Sequence, residues 1–234
     1  MNAGAQSYLF KQSGFDSGAL TMLGAIIHQF ADPGEYRGVS LRNDQRDAVF
    51  YLKVEEESAV NQVNIDLASL SGGPADASAC GCQGKSGSSQ SFVVGAKGRA
   101  VFHVSGGMGG YALHIGKSSP EPAGREFDSL ELKGGDLFAA TFLRPGVYSV
   151  TNTAAKAPSK ARIEIDVAYP RAGKTAFQPP APVRIECVRE GFRPGGKVEL
   201  HAMQGCIFAC QVAARIKAEL VRAHEAPAKV RKSR

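Results

Sequence analysis

Two cysteines in a small, polar segment are the first side chains of this sequence that could do chemistry. Cys80 and Cys82 are separated by a single glycine within residues 71–90, a segment rich in Gly, Ser and Ala. Two thiols at this spacing can bind a soft metal ion or act as a redox pair. A structural zinc site usually needs a second close pair of ligands, and none is evident in the sequence. The alternative, an exposed loop without such a role, stays open.

Two histidines on either side of a glycine-rich turn form the second candidate site. His103 and His114 flank the segment SGGMGG, residues 105–110. If the flanking strands pair as a hairpin with an even number of loop residues, the imidazoles are diagonal neighbours about 7 Å apart at Cβ. An odd number places them on opposite faces and leaves two ordinary surface histidines. The candidate metal ligands are therefore Cys80, Cys82, His103 and His114. We expect a protein without a cofactor, and zinc or copper bound by these residues is the alternative.

The three remaining cysteines lie in apolar, strand-like segments. Cys206 and Cys210 are four residues apart, which on an extended strand puts both thiols on one face but about 13 Å apart. That separation is too large for a disulfide or a shared tetrahedral metal site. On a helix the thiols would lie one turn apart, but Ile207 and Phe208 favour a strand. We therefore expect Cys206, Cys210 and Cys187 to be buried packing residues.

Recognisable catalytic motifs are missing from the sequence. It contains no G-x-S-x-G elbow, no Walker loop and no H-E-x-x-H motif. Its glycine-rich segments lack the strand-to-helix setting that would point backbone amides at a phosphate. The sequence therefore favours a non-enzymatic protein, without excluding an enzyme that uses no known motif.

Many short apolar segments bounded by glycine and proline predict an all-β protein. The chain has 234 residues with 27 glycines and 12 prolines, and segments such as residues 47–57 alternate between two faces as strands do. The motif F-x-x-P-G-x-Y occurs at residues 30–36 and again at 142–148. Pro-Gly is typical of a type II turn between strands, so two copies indicate two related β units. Chance recurrence of a short turn pattern is the alternative.

Two segments resemble the cupredoxin family. LELKGGDLFAATFLRPGVYSV (130–150) is similar to that family's strand–turn–strand signature, and GFRPGGKVELHAMQGCIFAC (191–210) is similar to its GF-x-P edge. The resemblance implies one or two β-sandwiches built as cupredoxin-like or Greek-key units. It does not imply copper, because a cupredoxin centre needs Cys, His and Met soon after the tyrosine, and residues 148–158 supply none of them.

Composition predicts where the chain divides. A proline-rich joint at residues 177–183 follows a β-sandwich body, residues 1–176, that can contain the internal duplication. Residues 177–212 are the final strands and belong to the same unit or to a second small one. Residues 213–234 are predicted to form a basic tail, either as a short C-terminal helix or as a frayed end.

Charge and targeting signals narrow the partners and the compartment. The net charge is +6, and residues 211–234 hold seven Lys or Arg and two acidic residues, so this tail can contact an acidic surface or a nucleic acid. The apolar run at residues 19–27 is too short to cross a bilayer and lacks the features of a secretory signal, which predicts a cytoplasmic protein. We therefore expect a structural or adaptor subunit that binds another protein or itself, with a metal-binding or redox protein as the alternative.

Overall fold

The part of the chain that the structure describes is nearly all-β, as predicted. The computed structural model describes residues 11–70, 90–118, 125–158, 161–169 and 180–225. These residues form seventeen strands and one four-residue helix, α1 (Leu67–Leu70), and no described helix is long and apolar enough to cross a membrane. In chain order the strands are β1 Gly14–Asp16, β2 Gly24–Gln29, β3 Gly34–Arg42, β4 Gln45–Glu55, β5 Gln62–Asp66, β6 Gln90–Gly95, β7 Arg99–His103, β8 Tyr111–Lys117, β9 Arg125–Asp128, β10 Leu137–Thr141, β11 Gly146–Asn152, β12 Arg162–Ala168, β13 Val183–Val188, β14 Gly191–Arg193, β15 Lys197–His201, β16 Gly205–Cys210 and β17 Ile216–Ala223.

The described strands form three sheets. The seven-stranded sheet has the strand order β14-β13-β16-β10-β2-β7-β5. The N-terminal five-stranded sheet has the order β6-β4-β3-β8-β9, and the C-terminal five-stranded sheet has the order β1-β17-β11-β12-β15. From β2 onward the chain passes repeatedly between the seven-stranded sheet and one of the other two. Strands that are neighbours in a sheet are therefore often distant in the sequence.

The cupredoxin-like β-sandwich predicted from residues 130–150 and 191–210 is wrong. The sheets form a stacked, solenoid-like arrangement of about 3 turns instead. A sandwich has two packed sheets, whereas the described strands form three, and β10 and β11 of the first segment belong to two of them. The resemblance depended on turn residues, and these fix a local corner without deciding which sheet the next strand joins.

Strand pairings in the first half of the chain recur in the second half. β3 pairs antiparallel with β4 and β8, and β4 pairs parallel with β6. In the same way β11 pairs antiparallel with β12 and β17, and β12 pairs parallel with β15. In the seven-stranded sheet, β7 pairs antiparallel with β2 and parallel with β5. In the same way β16 pairs antiparallel with β10 and parallel with β13. The two sets meet at the antiparallel pair β2–β10, so this sheet has an approximate twofold relation at its centre.

The two F-x-x-P-G-x-Y motifs occupy equivalent corners, one between β2 and β3 and the other between β10 and β11. The Tyr36 hydroxyl donates to the carbonyl of Asp32 at 2.8 Å, and the Tyr148 hydroxyl donates to the carbonyl of Arg144 at 2.9 Å. Burial raises the pKa of both tyrosines to about 12. Each motif therefore closes its own corner with a tyrosine that stays protonated and hydrogen-bonded.

Alternation along the strands fills the space between the sheets. In β4, alternate residues from Phe50 to Val54 are buried, whereas Tyr51 is 41% exposed, as the predicted pattern requires. The Phe50 ring contacts Phe102 of the seven-stranded sheet at a centroid distance of 6.3 Å, and Phe102 stacks on Phe127 at 5.6 Å. Aromatic contacts of this kind join the N-terminal five-stranded sheet to the seven-stranded sheet.

The last strand corrects the prediction for the C-terminus. Ile216–Ala223 forms β17 and pairs with both β1 and β11, so this segment is neither a helix nor a frayed end. Residues 226–234, the remainder of the predicted basic tail, lie outside the described residues. The division of the chain at residues 177–183 stays a prediction. Strands from its two sides, β10 and β16, pair in one sheet.

Candidate functional site

The structure places His103 and His114 on different sheets. His103 lies on β7 and pairs within the seven-stranded sheet, whereas His114 lies on β8 in the N-terminal five-stranded sheet. β7 and β8 therefore do not form the hairpin on which the predicted histidine pair depends. Each histidine has a carboxylate neighbour instead: His114 Nε2 lies 3.3 Å from Asp128 Oδ1, and His103 is the cross-strand partner of Asp66.

Cys80 and Cys82 lie outside the described residues, so their metal or redox role stays a prediction. Within the described ranges, no group of three or more His, Cys, Asp or Glu side chains is arranged to hold a metal ion. Binding of zinc or copper by Cys80, Cys82, His103 or His114 is therefore an untested hypothesis.

The prediction that the other cysteines pack in the core is confirmed. Cys187, Cys206 and Cys210 are free thiols, and all three are buried on strands. Burial raises the pKa of Cys206 to about 12. A hydrogen bond with Cys187, together with burial, raises the pKa of Cys210 well above its ordinary value. Because the thiolate is the reactive form, Cys206 and Cys210 are poor nucleophiles in the folded protein.

A polar row crosses the buried face of the seven-stranded sheet. It consists of His28 on β2, Asp136 immediately before β10, Cys210 on β16 and Cys187 on β13. His28 Nδ1 lies 2.6 Å from Asp136 Oδ1, and the Cys210 amide donates to the Asp136 carbonyl at 2.9 Å. Cys210 in turn lies directly opposite Cys187 on the parallel neighbouring strand. The tertiary fold therefore aligns four groups that are scattered through the sequence.

The His28–Asp136 pair is sealed from solvent. The two side chains are 9% and 4% exposed, and Asp136 Oδ2 accepts a hydrogen bond from the Lys133 amide at 2.7 Å. The imidazole packs against Phe30 and Phe127 at centroid distances of 4.6 and 4.8 Å, and its Nε2 atom has no hydrogen-bond partner among the described residues. General acid–base catalysis needs contact with a substrate proton, which burial prevents here. The pair instead connects β2 to the start of β10.

Sequence reasoning missed the polar row because its members come from four separate segments. One signal was available. In GAIIHQ, the sequence of β2, His28 alternates with Ile26 and Gly24, and strand alternation places all three on the buried face. A histidine on an otherwise apolar face needs a buried polar partner, but the sequence does not show that Asp136 supplies it.

The opposite face of the seven-stranded sheet, here called the outer face, is apolar at its centre. Its central side chains are half-buried and come from β7, β2, β10 and β16: Val101, Ile27, Leu137, Ala25, Ala139 and Ile207. The registers place Ile27 between Val101 and Leu137, and Ala139 between Ala25 and Ile207. The solvated face of an antiparallel sheet is normally polar. A contiguous apolar patch in that position is typical of an interaction surface.

Charged side chains flank this outer face at both ends. Asp66 lies at the β5 end, whereas Arg184, Glu186 and Arg193 lie at the β13–β14 end. Burial alone would raise the pKa of Asp66, but hydrogen bonds from the Ser105 hydroxyl and amide hold it below its ordinary value. Asp66 is therefore anionic at neutral pH. The outer face has an apolar centre, a β5 end where Asp66 lies beside His103 on the strand that also carries Arg99, and a β13–β14 end with a net positive charge.

Comparisons with known proteins place this chain in no family: no protein-family model, no curated protein and no solved structure matches it. Its function has to be inferred from the described residues themselves.

Proposed function

We propose that this protein is a non-enzymatic structural protein that self-associates through the outer face of its seven-stranded sheet, with a second copy of the chain as the partner. The observation that carries the proposal is the apolar centre of that face, formed by Ile27, Leu137 and their neighbours between two charged ends. Such a patch combines the apolar centre and polar rim of protein–protein interfaces.

Symmetry favours a second copy as the occupant. The two sets of repeated strand pairings meet at β2–β10, and the apolar patch is centred on these same two strands. A twofold dimer uses the same surface on both subunits, so the surface must be complementary to itself. The internal axis is normal to the sheet and the dimer axis would lie in the plane of the face, so the two halves of the patch would make nearly equivalent contacts with the second copy.

Charge supports the same arrangement. When two copies of the outer face are stacked with a twofold axis parallel to the strands, the β5 end of one copy faces the β13–β14 end of the other. Asp66 of each copy then approaches Arg184 and Arg193 of its partner. Opposite charges at the rim select this orientation and speed association more than they add affinity.

The size of the face predicts a modest affinity. Seven strands about 4.8 Å apart, each with about five residues in the sheet, give roughly 500 Å² per copy. A dimer would then bury roughly 1,000 Å² in total, which is at the small end of specific interfaces. We therefore expect a monomer–dimer equilibrium that depends on protein concentration.

Sedimentation velocity over a wide concentration range tests the proposal. The wild-type chain should shift from monomer to dimer as its concentration rises, and Ile27→Lys and Leu137→Lys should stay monomeric. Val221→Lys is the matched control, because Val221 is a 60% exposed residue of β17, in a different sheet, and it should dimerise like the wild type. Circular dichroism confirms that each variant is folded. A monomeric wild type, or a dimer that survives Ile27→Lys, would contradict the proposal and leave the face for a different protein.

The other expectations from the sequence stay predictions. Binding of an acidic surface or a nucleic acid by the basic tail, residues 213–234, stays a prediction, as do metal binding through Cys80 and Cys82 and a cytoplasmic location. All three are compatible with self-association but add nothing to it. Exposed strand edges, such as β5 and β14, are a further route for pairing with another chain.

A further inference from the structure

Two of the buried cysteines are direct neighbours across a pair of strands. β13 and β16 run parallel, and the register places Cys187 opposite Cys210. Paired strands lie about 4.8 Å apart, which is within the range of Cα separations that a disulfide can bridge. In-register partners point to the same face of a sheet, and both side chains are buried there. The fold therefore places these two thiols side by side on the buried face of the sheet.

The third buried cysteine is excluded from this pair by its position. Cys206 is opposite Val183, and it lies four residues before Cys210 on the same strand. Four residues of extended chain span about 13 Å, which is beyond the reach of a disulfide. The structure thus distinguishes one pair among three buried thiols.

We infer that Cys187 and Cys210 are the site of an intramolecular disulfide, formed by exchange with a small-molecule disulfide such as oxidised glutathione. One cysteine thiolate attacks the external disulfide, forming a mixed disulfide and releasing one small thiol. The second cysteine thiolate then attacks the protein sulfur of the mixed disulfide and releases the other small thiol. The two protein thiols lose two protons and two electrons in total, and the external disulfide gains both and is reduced to two thiols.

Burial determines when this exchange takes place. Cys187 is 1% exposed and Cys210 is 3% exposed, so an external disulfide has no access to either sulfur in the folded protein. The reaction therefore takes place while the chain is folding or is transiently open. Once formed, the bond is protected from external reductants by the same burial. The disulfide would close a loop that runs from β13 through β14 and β15 to β16, and would therefore constrain a crossover between two sheets.

Oxidative refolding tests the inference independently of self-association. The starting chain carries Cys80→Ser and Cys82→Ser, so that only the buried thiols remain. It is refolded from denaturant in a mixture of reduced and oxidised glutathione, digested without reduction, and analysed by mass spectrometry. We expect a cross-linked peptide that joins Cys187 to Cys210 and weighs two hydrogens less than its parts, with Cys206 recovered as a free thiol. The thermal midpoint should be roughly 10 °C higher in the oxidised form than in the reduced form.

Two further variants complete the experiment. Cys206→Ala should keep both the cross-link and the rise in the thermal midpoint, whereas Cys187→Ala should lose both. If Cys187→Ala does not fold, the inference is still tested by comparing the thermal midpoints of the oxidised and reduced forms of the starting chain. Recovery of Cys187 and Cys210 as free thiols after oxidative refolding, or a cross-link that includes Cys206, would overturn the inference.

Discussion

Replacing His28 by leucine tests whether the polar row stabilises the fold. The described residues contain three His–Asp pairs that differ in burial, and Asp166 of one pair also binds Lys197. His28–Asp136 has side chains that are 9% and 4% exposed, whereas His224 in its pair with Asp166 is 30% exposed and His114 is 22% exposed. The same substitution can therefore be made at three depths within one protein.

The expected costs follow from the burial of the partner that remains. Without His28, Asp136 stays buried with the Lys133 amide as its remaining side-chain donor. Removing one partner of a buried pair costs about 3–5 kcal/mol, whereas an exposed pair is worth about 1 kcal/mol or less. Leucine fills most of the imidazole volume, so the cavity contribution is small. We expect His28→Leu to lower the free energy of unfolding by about 3 kcal/mol, His224→Leu by about 1 kcal/mol or less, and His114→Leu, which removes a more buried histidine than His224, by an amount between these two.

The assay is urea denaturation followed by circular dichroism, because the chain has no tryptophan to report unfolding. In a chain of this size the loss at His28 corresponds to a fall in Tm of roughly 10 °C. His28→Leu combined with Asp136→Leu should recover part of the loss, since no buried carboxylate is then left without its partner. Equal costs at all three histidines would refute the reasoning, as would a double variant that is less stable than the sum of the single variants predicts.

Two further predictions concern other contacts of the fold. Gly146→Ala should lower the free energy of unfolding by about 1–3 kcal/mol, measured by thermal denaturation, because its methyl group would lie 2.5 Å from a carbonyl oxygen of β17 at a φ of +154°. Gly106→Ala is the control and should change the stability little, because the added carbon meets no atom within 4 Å. Hydrogen bonds from Lys197 and His224 hold the pKa of Asp166 below its ordinary value. The Asp166 carboxylate therefore stabilises the fold above about pH 4, and this contribution is lost as the pH falls through the lowered pKa. Asp166→Asn should therefore cost about 0.5–1 kcal/mol at neutral pH and nothing in strong acid, and an equal loss at both pH values in urea titrations would contradict this sign.

The sequence by itself determined the class of element and the local corners. Alternating apolar residues made β4 a strand with Phe50 inside and Tyr51 outside, and the two Pro-Gly-x-Tyr corners fold alike because their turn chemistry is local. The burial of Cys206 and Cys210 followed from the same alternation. These features depend on neighbours within a few residues, which is the range that a sequence pattern reports.

Only the tertiary structure decided which strands became neighbours. The hairpin expected between His103 and His114 fails because β7 pairs with β2 and β5, strands from elsewhere in the chain. The polar row and the Cys187–Cys210 pair arise in the same way, from registers between distant segments. Pairing of distant strands is set by the packing of whole faces against each other, and periodicity within a segment holds no information about its partner.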